Sequence, residues 1–215
     1  IVKDKLKDYI GSELDFTQSI QLDPNNSLSY FHRAISKSKL NDLYGAYEDY
    51  NKSIELNPNY NNAYLNRANI KIKLKNYRGA LKDYNKFIEL NPGDPTAYYS
   101  RGYLKSIVNN YAGAIEDYNK FIDLNPRKSK AYYSRANMKS MVKNFSGAIE
   151  DYNKSIQLNP SDINSYRNRA IAKWNDGDQY GSCMDKKELI LLGDKESVKW
   201  IQSLKGAWCR EILNF

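Results

Sequence analysis

The chain has 215 residues and a formal charge of +8, from 33 Lys plus Arg against 25 Asp plus Glu, with one His, two Cys, six Pro and nineteen Tyr. At 41% apolar and 27% charged residues the composition is that of a folded chain rather than a disordered one. Two cysteines exclude a disulfide framework, one histidine beside them excludes a common structural zinc site, and no apolar run approaches the ~20 residues that cross a bilayer. The positive balance leaves acidic partners open: nucleic acid, acidic peptides or an anionic membrane.

Five of the six prolines, Pro24, Pro58, Pro92, Pro126 and Pro160, lie 34 residues apart. Other columns keep the same step: Gly11 through Gly181, Leu22 through Leu192, Ile20 through Ile190, and the aromatics Phe16, Tyr50, Tyr84, Tyr118 and Tyr152. The chain therefore reads as a tandem array. Residues 1–26 read as the last three-quarters of a unit whose start is missing. The chain opens on Ile1 inside that helix, so the expectation is a trimmed N-terminus, with self-association through the exposed core of the partial unit.

Complete units follow at 27–60, 61–94, 95–128 and 129–162, each predicted to be two helices. In 61–94, Ala63, Tyr64, Ala68, Ile70, Ile72 and Leu74 mark a first helix, and Tyr77, Ala80, Leu81, Tyr84, Phe87, Ile88 and Leu90 a second at steps of three and four. Asn91-Pro92 ends it, because proline disfavours the α conformation before it and supplies no N–H. Gly79, early in the second helix, is expected to mark a close crossing with the first. The unit 163–196 diverges: it keeps Tyr166, Ala170, Gly181 and Leu192 but has Lys186 in the aromatic column and Asp194 where proline stood. Residues 197–215 predict an amphipathic helix through Val198, Ile201, Leu204, Trp208, Ile212 and Phe215, kinked at Gly206, that caps the last apolar face.

These units resemble the tetratricopeptide repeat, through Tyr64, Ala68, Tyr77, Ala80, Tyr84 and Pro92 in one unit and Tyr98, Gly102, Tyr111, Ala114, Tyr118 and Pro126 in the next. The run from Gly181-Ser182-Cys183 to Leu192-Gly193-Asp194 is similar to the closing segment of bacterial proteins of this class. The resemblance implies an all-α fold: a right-handed superhelical solenoid of antiparallel helix pairs with a C-terminal capping helix. It also implies a non-enzymatic protein-binding scaffold without a cofactor.

Against that pattern, the first helices carry Arg33, Arg67, Arg101, Arg135 and Arg169 where leucine is usual, and Lys37, Lys71, Lys105, Lys139 and Lys173 (with Lys3 in step) four residues later. The second helices answer with Asp15, Asp49, Asp83, Asp117, Asp151 and Asp185. A charge on a helix seam must be paired or reach water, so a structural ladder is expected, each Arg bonding an Asp of its own or the preceding unit. The alternative is a basic stripe that grips phosphates. The lysines sit near first-helix ends, where a cation offsets the helix dipole.

The resemblance places the second, fifth, ninth, twelfth and thirteenth positions of each unit on a concave groove. The groove candidates are then Phe31, Leu65 and Asn69 in the earlier units; Tyr99, Tyr103 and Lys130 in the middle; and Tyr133, Asn137, Met141, Arg167 and Trp174 towards the end. Aromatics of this kind are interface anchors, and Asn69 and Asn137 suit a peptide backbone, being donors and acceptors at once. The opposing possibility is that the aromatics only pack between neighbouring helices. Lys39, Lys73, Lys130 and Arg167 form a basic rim, favouring an extended or helical protein segment with acidic residues. A carboxylate clamp of the usual form is absent, since Phe31, Leu65, Tyr99 and Tyr133 stand at its lysine position. RNA binding and an accessory role in a larger enzyme are the alternatives. Nucleic acid is disfavoured, because the groove candidates are mostly apolar or neutral. His32 has no nucleophilic partner, and Asn175-Asp176-Gly177-Asp178 lacks a calcium loop's other ligands. No metal site is expected. Cys183 and Cys209 can meet if the cap folds onto the fifth unit, but reduced thiols in the cytoplasm are the expectation.

Overall fold

The computed structural model describes residues 8–203 and 206–213, and among them finds 13 α-helices and no strand. α1 (Tyr9–Leu22) belongs to the incomplete first unit. Helix pairs follow: α2 (Ser27–Lys39) with α3 (Leu43–Leu56), α4 (Asn61–Lys73) with α5 (Tyr77–Leu90), and α6 (Pro95–Ile107) with α7 (Tyr111–Leu124). α8 (Ser129–Met141) pairs with α9 (Phe145–Leu158), and α10 (Ile163–Asn175) with α11 (Gln179–Leu191). α12 (Lys195–Gln202) and α13 (Ala207–Leu213) close the described chain.

Two compact units, Ile1–Ala97 and Tyr98–Phe215, divide the molecule within α6. In the first, α2 packs on α1 and α3, and α4 on α3 and α5. In the second, α8 packs on α7 and α9, α10 on α9 and α11, and both closing helices on α11.

The same local chemistry makes every hairpin. The residue between the paired helices (Asn41, Lys75, Asn109, Lys143 or Gly177) takes a left-handed conformation, with φ of 66°, 59°, 61°, 62° and 92°. The next N–H returns to a first-helix carbonyl: Asn76 to Lys71 at 2.8 Å, Asn144 to Lys139 at 2.9 Å, Asp178 to Lys173 at 2.8 Å. This satisfies carbonyls that the helix end leaves open. That same Asn or Asp then caps the second helix. Asn76 Oδ1 accepts from the Gly79 N–H at 2.9 Å, and Asp178 Oδ1 from Gly181 at 2.7 Å.

The glycine column therefore has a different cause from the expected helix crossing. A Cβ on Gly79 would lie 2.7 Å from Asn76 Nδ2, and one on Gly181 2.0 Å from Asp178 Oδ2, so a side chain there would displace the capping group. The close crossing belongs to the column Ala34, Ala68, Gly102, Ala136 and Ala170 of the first helices. Its alanines are at most 1% exposed, and a Cβ on Gly102 would meet Asp117 and the Tyr118 ring at 3.2 Å.

Tyr50, Tyr84, Tyr118 and Tyr152 of the second helices are at most 2% exposed and form the apolar centre of each hairpin. The cap differs from a single kinked helix. It is two helices, and Gly206 sits where the chain turns back: a Cβ there would come within 2.4 Å of the Trp200 carbonyl oxygen. Arg210 Nη1 donates to the carbonyls of Ile201 and Ser203, closing the end of α12. Leu204 and Phe215 lie outside the described residues.

Candidate functional site

The charged columns meet inside each hairpin. Arg33 Nε and Nη2 donate to Asp49 at 2.8 and 2.7 Å; Arg67 meets Asp83 at 2.9 and 2.7 Å, and Arg101 meets Asp117 at 2.9 and 2.6 Å. Arg135 with Asp151 (2.8 and 2.6 Å) and Arg169 with Asp185 (2.9 and 2.5 Å) repeat the fork. Each aspartate is the one in the same unit. The preceding unit contributes a neutral acceptor instead: Nη1 of Arg67, Arg135 and Arg169 donates to Asn51, Asn119 and Asn153 at 2.9, 2.7 and 2.7 Å.

The lysine column joins the same carboxylates rather than only facing a helix end. Lys37, Lys71, Lys105, Lys139 and Lys173 lie 2.9, 2.7, 3.0, 2.9 and 3.1 Å from them. Lys3 is outside the described residues. Each guanidinium also lies over the tyrosine three residues earlier, from Arg33 over Tyr30 at 5.5 Å to Arg169 over Tyr166 at 5.2 Å. Two cations around each buried carboxylate leave these groups turned inward, not arrayed as a phosphate-gripping stripe.

In the unit Ile1–Ala97, the groove candidates separate. Phe31 is a correction: it is 5% exposed and packs on Tyr50 and Tyr60 at 5.8 and 4.7 Å between ring centroids, so it serves the core and is closed to a ligand. Leu65 is half-buried. Asn69 is exposed, and its Oδ1 accepts from the Tyr84 hydroxyl at 2.8 Å, so that acceptor is already engaged.

In the unit Tyr98–Phe215, Tyr99, Tyr103, Lys130, Tyr133 and Asn137 line one cavity of about 460 Å3 with Ser106, Tyr118, Ser134 and Met138. Tyr99 packs one side against Tyr118 and Phe121 at 5.5 and 5.2 Å and shares a 3.1 Å hydrogen bond with Ser134. Tyr133 packs on Tyr152 at 6.1 Å. Asn168 Nδ2 donates to the Tyr133 hydroxyl (3.1 Å) and to Asn137 Oδ1 (2.9 Å), which also accepts from the Tyr152 hydroxyl at 2.6 Å. Tyr103 is the open member, at 55% exposed, and Lys130 Nζ hangs 5.9 Å over the Tyr99 ring. Met141 is exposed at the end of α8. Burial pushes the Tyr118 hydroxyl well above its ordinary range, and Tyr152 up to about 12.

Arg167, one of the basic-rim candidates, is engaged by the cap. Its Nη2 donates to Asp194 at 2.8 Å and lies 3.5 Å from Glu196, so its charge ties α10 to the cap. Asp194 in turn caps α12 by accepting from the Ser197 N–H at 3.1 Å. The hydrogen bond from Ser197, with Arg167 adding to it, holds the Asp194 carboxyl below its usual range. Trp174 faces Trp208 of α13 at 5.5 Å. The cysteines correct the reduced-thiol expectation: Cys183 and Cys209 form a disulfide, Cα to Cα 5.7 Å, fastening α13 to α11. Sequence reasoning missed the Tyr–Arg stacking and the Asn–Tyr bonds. Both were present as fixed offsets, three residues for Tyr30 to Arg33 and fifteen for Asn69 to Tyr84.

Paired helices repeated at 34 residues, with an inward charge cluster and buried tyrosine in each hairpin, define an α-helical repeat protein. Models of the tetratricopeptide repeat match residues 28–60, 62–94, 95–128 and 129–162, more than half of the sequence. The chain belongs to the tetratricopeptide repeat family. A comparison with curated proteins yields no match. Among solved structures, it is similar to the MamA protein (23% identity, TM-score 0.75, covering 83% of this chain and 97% of that one). YrrB, described as a tetratricopeptide repeat protein with an unusual peptide-binding site, aligns at 16% identity and TM-score 0.78, covering 88% and 98%. The C-terminal part of a repeat-containing protein from Cytophaga hutchinsonii aligns at 17% and 0.80, covering 96% and 89%. At these identities the likeness is one of fold. No helix among the described residues is long and apolar enough to cross a membrane.

Proposed function

We propose that the protein is a non-enzymatic interaction scaffold whose first-helix face in Tyr98–Phe215 binds a segment of another protein. The observation that carries this reading is the tyrosine-lined cavity between α6 and α8, with Tyr103 exposed and Lys130 at its edge. Tyrosine supplies apolar area with a polar tip at small entropy cost, and a single lysine beside it favours an acidic residue in the ligand. YrrB, of the same fold, has a peptide-binding site by its description. Phe31 drops out as a ligand contact, Arg167 is already paired with Asp194, and Asn137 contributes at most its amide donors, because its carbonyl oxygen accepts from both Tyr152 and Asn168. Nucleic acid is left without support, since most cations of the repeat columns surround aspartates.

The test uses a random peptide library displayed on phage and selected on the full chain. Selected peptides should carry acidic and apolar residues and lose at least tenfold in affinity to Tyr103→Ala combined with Lys130→Ala. Both residues are exposed, so the fold should survive the change. Equal affinity for the double variant would remove the cavity from the reading.

The disulfide bears on compartment. Such bonds persist where the surroundings are oxidising, so we place the protein outside the reducing cytoplasm. Peptide mapping of the protein from its natural source without reduction should find Cys183 and Cys209 linked to each other; both found as free thiols would return it to the cytoplasm. Self-association is assigned to α1, which exposes Ile10 and Leu14 one turn apart, and would show as a concentration-dependent mass in sedimentation.

A further inference from the structure

Lys186 stands where the four preceding units have Tyr50, Tyr84, Tyr118 and Tyr152. Those tyrosines fill the hairpin centre almost without exposure. In α11 the lysine instead brings an ammonium to the cap, its Nζ 4.4 Å from the Trp200 ring centroid. Elsewhere in the repeats a partly buried lysine of the first helices meets an aspartate, as Lys173 meets Asp185 at 3.1 Å. Lys186 has no carboxylate within ion-pair distance among the described residues. Asp194, the acid whose charge acts on it, is held by Arg167 and Ser197. Burial depresses the Lys186 pKa, Asp194 opposes that and Arg167 adds to it. A half-buried cation without a counter-ion is costly unless an anion joins it.

The surroundings are shaped for a ligand that brings one. Lys186 borders a cavity of about 460 Å3 walled by Ile171, Trp174, Trp200 and Trp208. That is within the ordinary range of small-molecule sites, about 300–1,000 Å3. Trp174 and Trp208 lie 5.5 Å apart at 43°, and Trp200 meets Trp208 edge-on at 6.5 Å, leaving aromatic faces on several sides of the opening. α12 and α13, which carry two of the tryptophans, are held in place by the Cys183–Cys209 bond and the Arg167–Asp194 pair. The walls are apolar except for Lys186 and Ser182.

We propose that this cavity binds a carboxylate carried on an aromatic group, with the carboxylate on Lys186 and the ring among Trp174, Trp200 and Trp208. An arylalkanoic acid and the C-terminal aromatic residue of a peptide share that chemistry. The site is separate from the tyrosine cavity and stands without it.

All three tryptophans of the chain line this cavity, so their fluorescence reports on it alone. The full chain is titrated with 3-phenylpropionate and with its neutral amide, exciting at 295 nm. The expected result is a saturable change with the acid and at least tenfold weaker binding of the amide. Lys186→Met should abolish that difference while keeping the thermal unfolding midpoint. N-acetylated tripeptides ending in Phe, as free acid and as amide, distinguish the source: an acid tighter than 3-phenylpropionate assigns a chain terminus, a weaker one a free acid. No saturable change in the unmodified protein, or equal binding of acid and amide, would overturn the proposal. That comparison decides even if Lys186→Met fails to fold.

Discussion

Asp151 accepts from Arg135 at 2.6 and 2.8 Å and lies 2.9 Å from Lys139, with its side chain only 6% exposed. Asp151→Ala should therefore cost about 3 kcal/mol in urea unfolding, because it strands two partly buried cations. A loss below about 1 kcal/mol, the range of a surface pair, would contradict a structural role for the column. Tyr152 gives a pH-dependent counterpart. Its hydroxyl rises from 10.0 to about 12 in the fold, so the neutral form is favoured there. Its contribution is full below pH 10 and lost as pH rises towards about 12. Phenolate absorbance should then appear in step with loss of helical circular dichroism over that window. At this scale the charge columns were legible, since buried charges must pair. Phe31 was not: a family position carries an expected direction, and packing against Tyr60 overrode it.

The helix pairs follow from short-range chemistry that recurs at each turn. Gly177 adopts φ 92° with nothing within 4 Å of its missing Cβ, so the constraint there is conformational rather than steric crowding. Gly177→Ala should destabilise by about 1 kcal/mol, measured as a shift of the urea midpoint at constant slope. An unchanged midpoint would show that the turn does not need its left-handed residue. Hairpins and proline stops were readable because 34-residue columns repeat the same signals. The second-helix glycines were misread as a crossing, although the informative residue stood three positions earlier: Asp42 before Gly45, Asn76 before Gly79, Asn144 before Gly147. The split cap was invisible to periodicity, since α12 and α13 keep apolar residues in step on both sides of the Gly206 turn. Its anchoring was half visible, in that Cys183 and Cys209 were recognised as able to meet.

For the whole molecule, the disulfide joins positions 26 apart in sequence and closes a loop that contains α12 and two of the three tryptophans of the cavity. Reduction should lower stability by about 3 kcal/mol and reduce the near-ultraviolet circular dichroism of the tryptophans. Both signals unchanged on complete reduction would mean that α13 docks without the bond. The +8 charge, at first a possible nucleic-acid signal, is largely consumed in Arg–Asp–Lys clusters, each with one surplus positive charge turned inward. What remains near the tyrosine cavity is Lys130, the cation on which the proposed preference for an acidic segment rests. The tightest phage-selected peptide, titrated into the isotopically labelled full chain, tests this directly by NMR. Shifts concentrated in Tyr99–Ile107 of α6 and Lys130–Met141 of α8 are expected. Shifts confined to α7 and α9, or to the segments between helices, would contradict binding on the first-helix face.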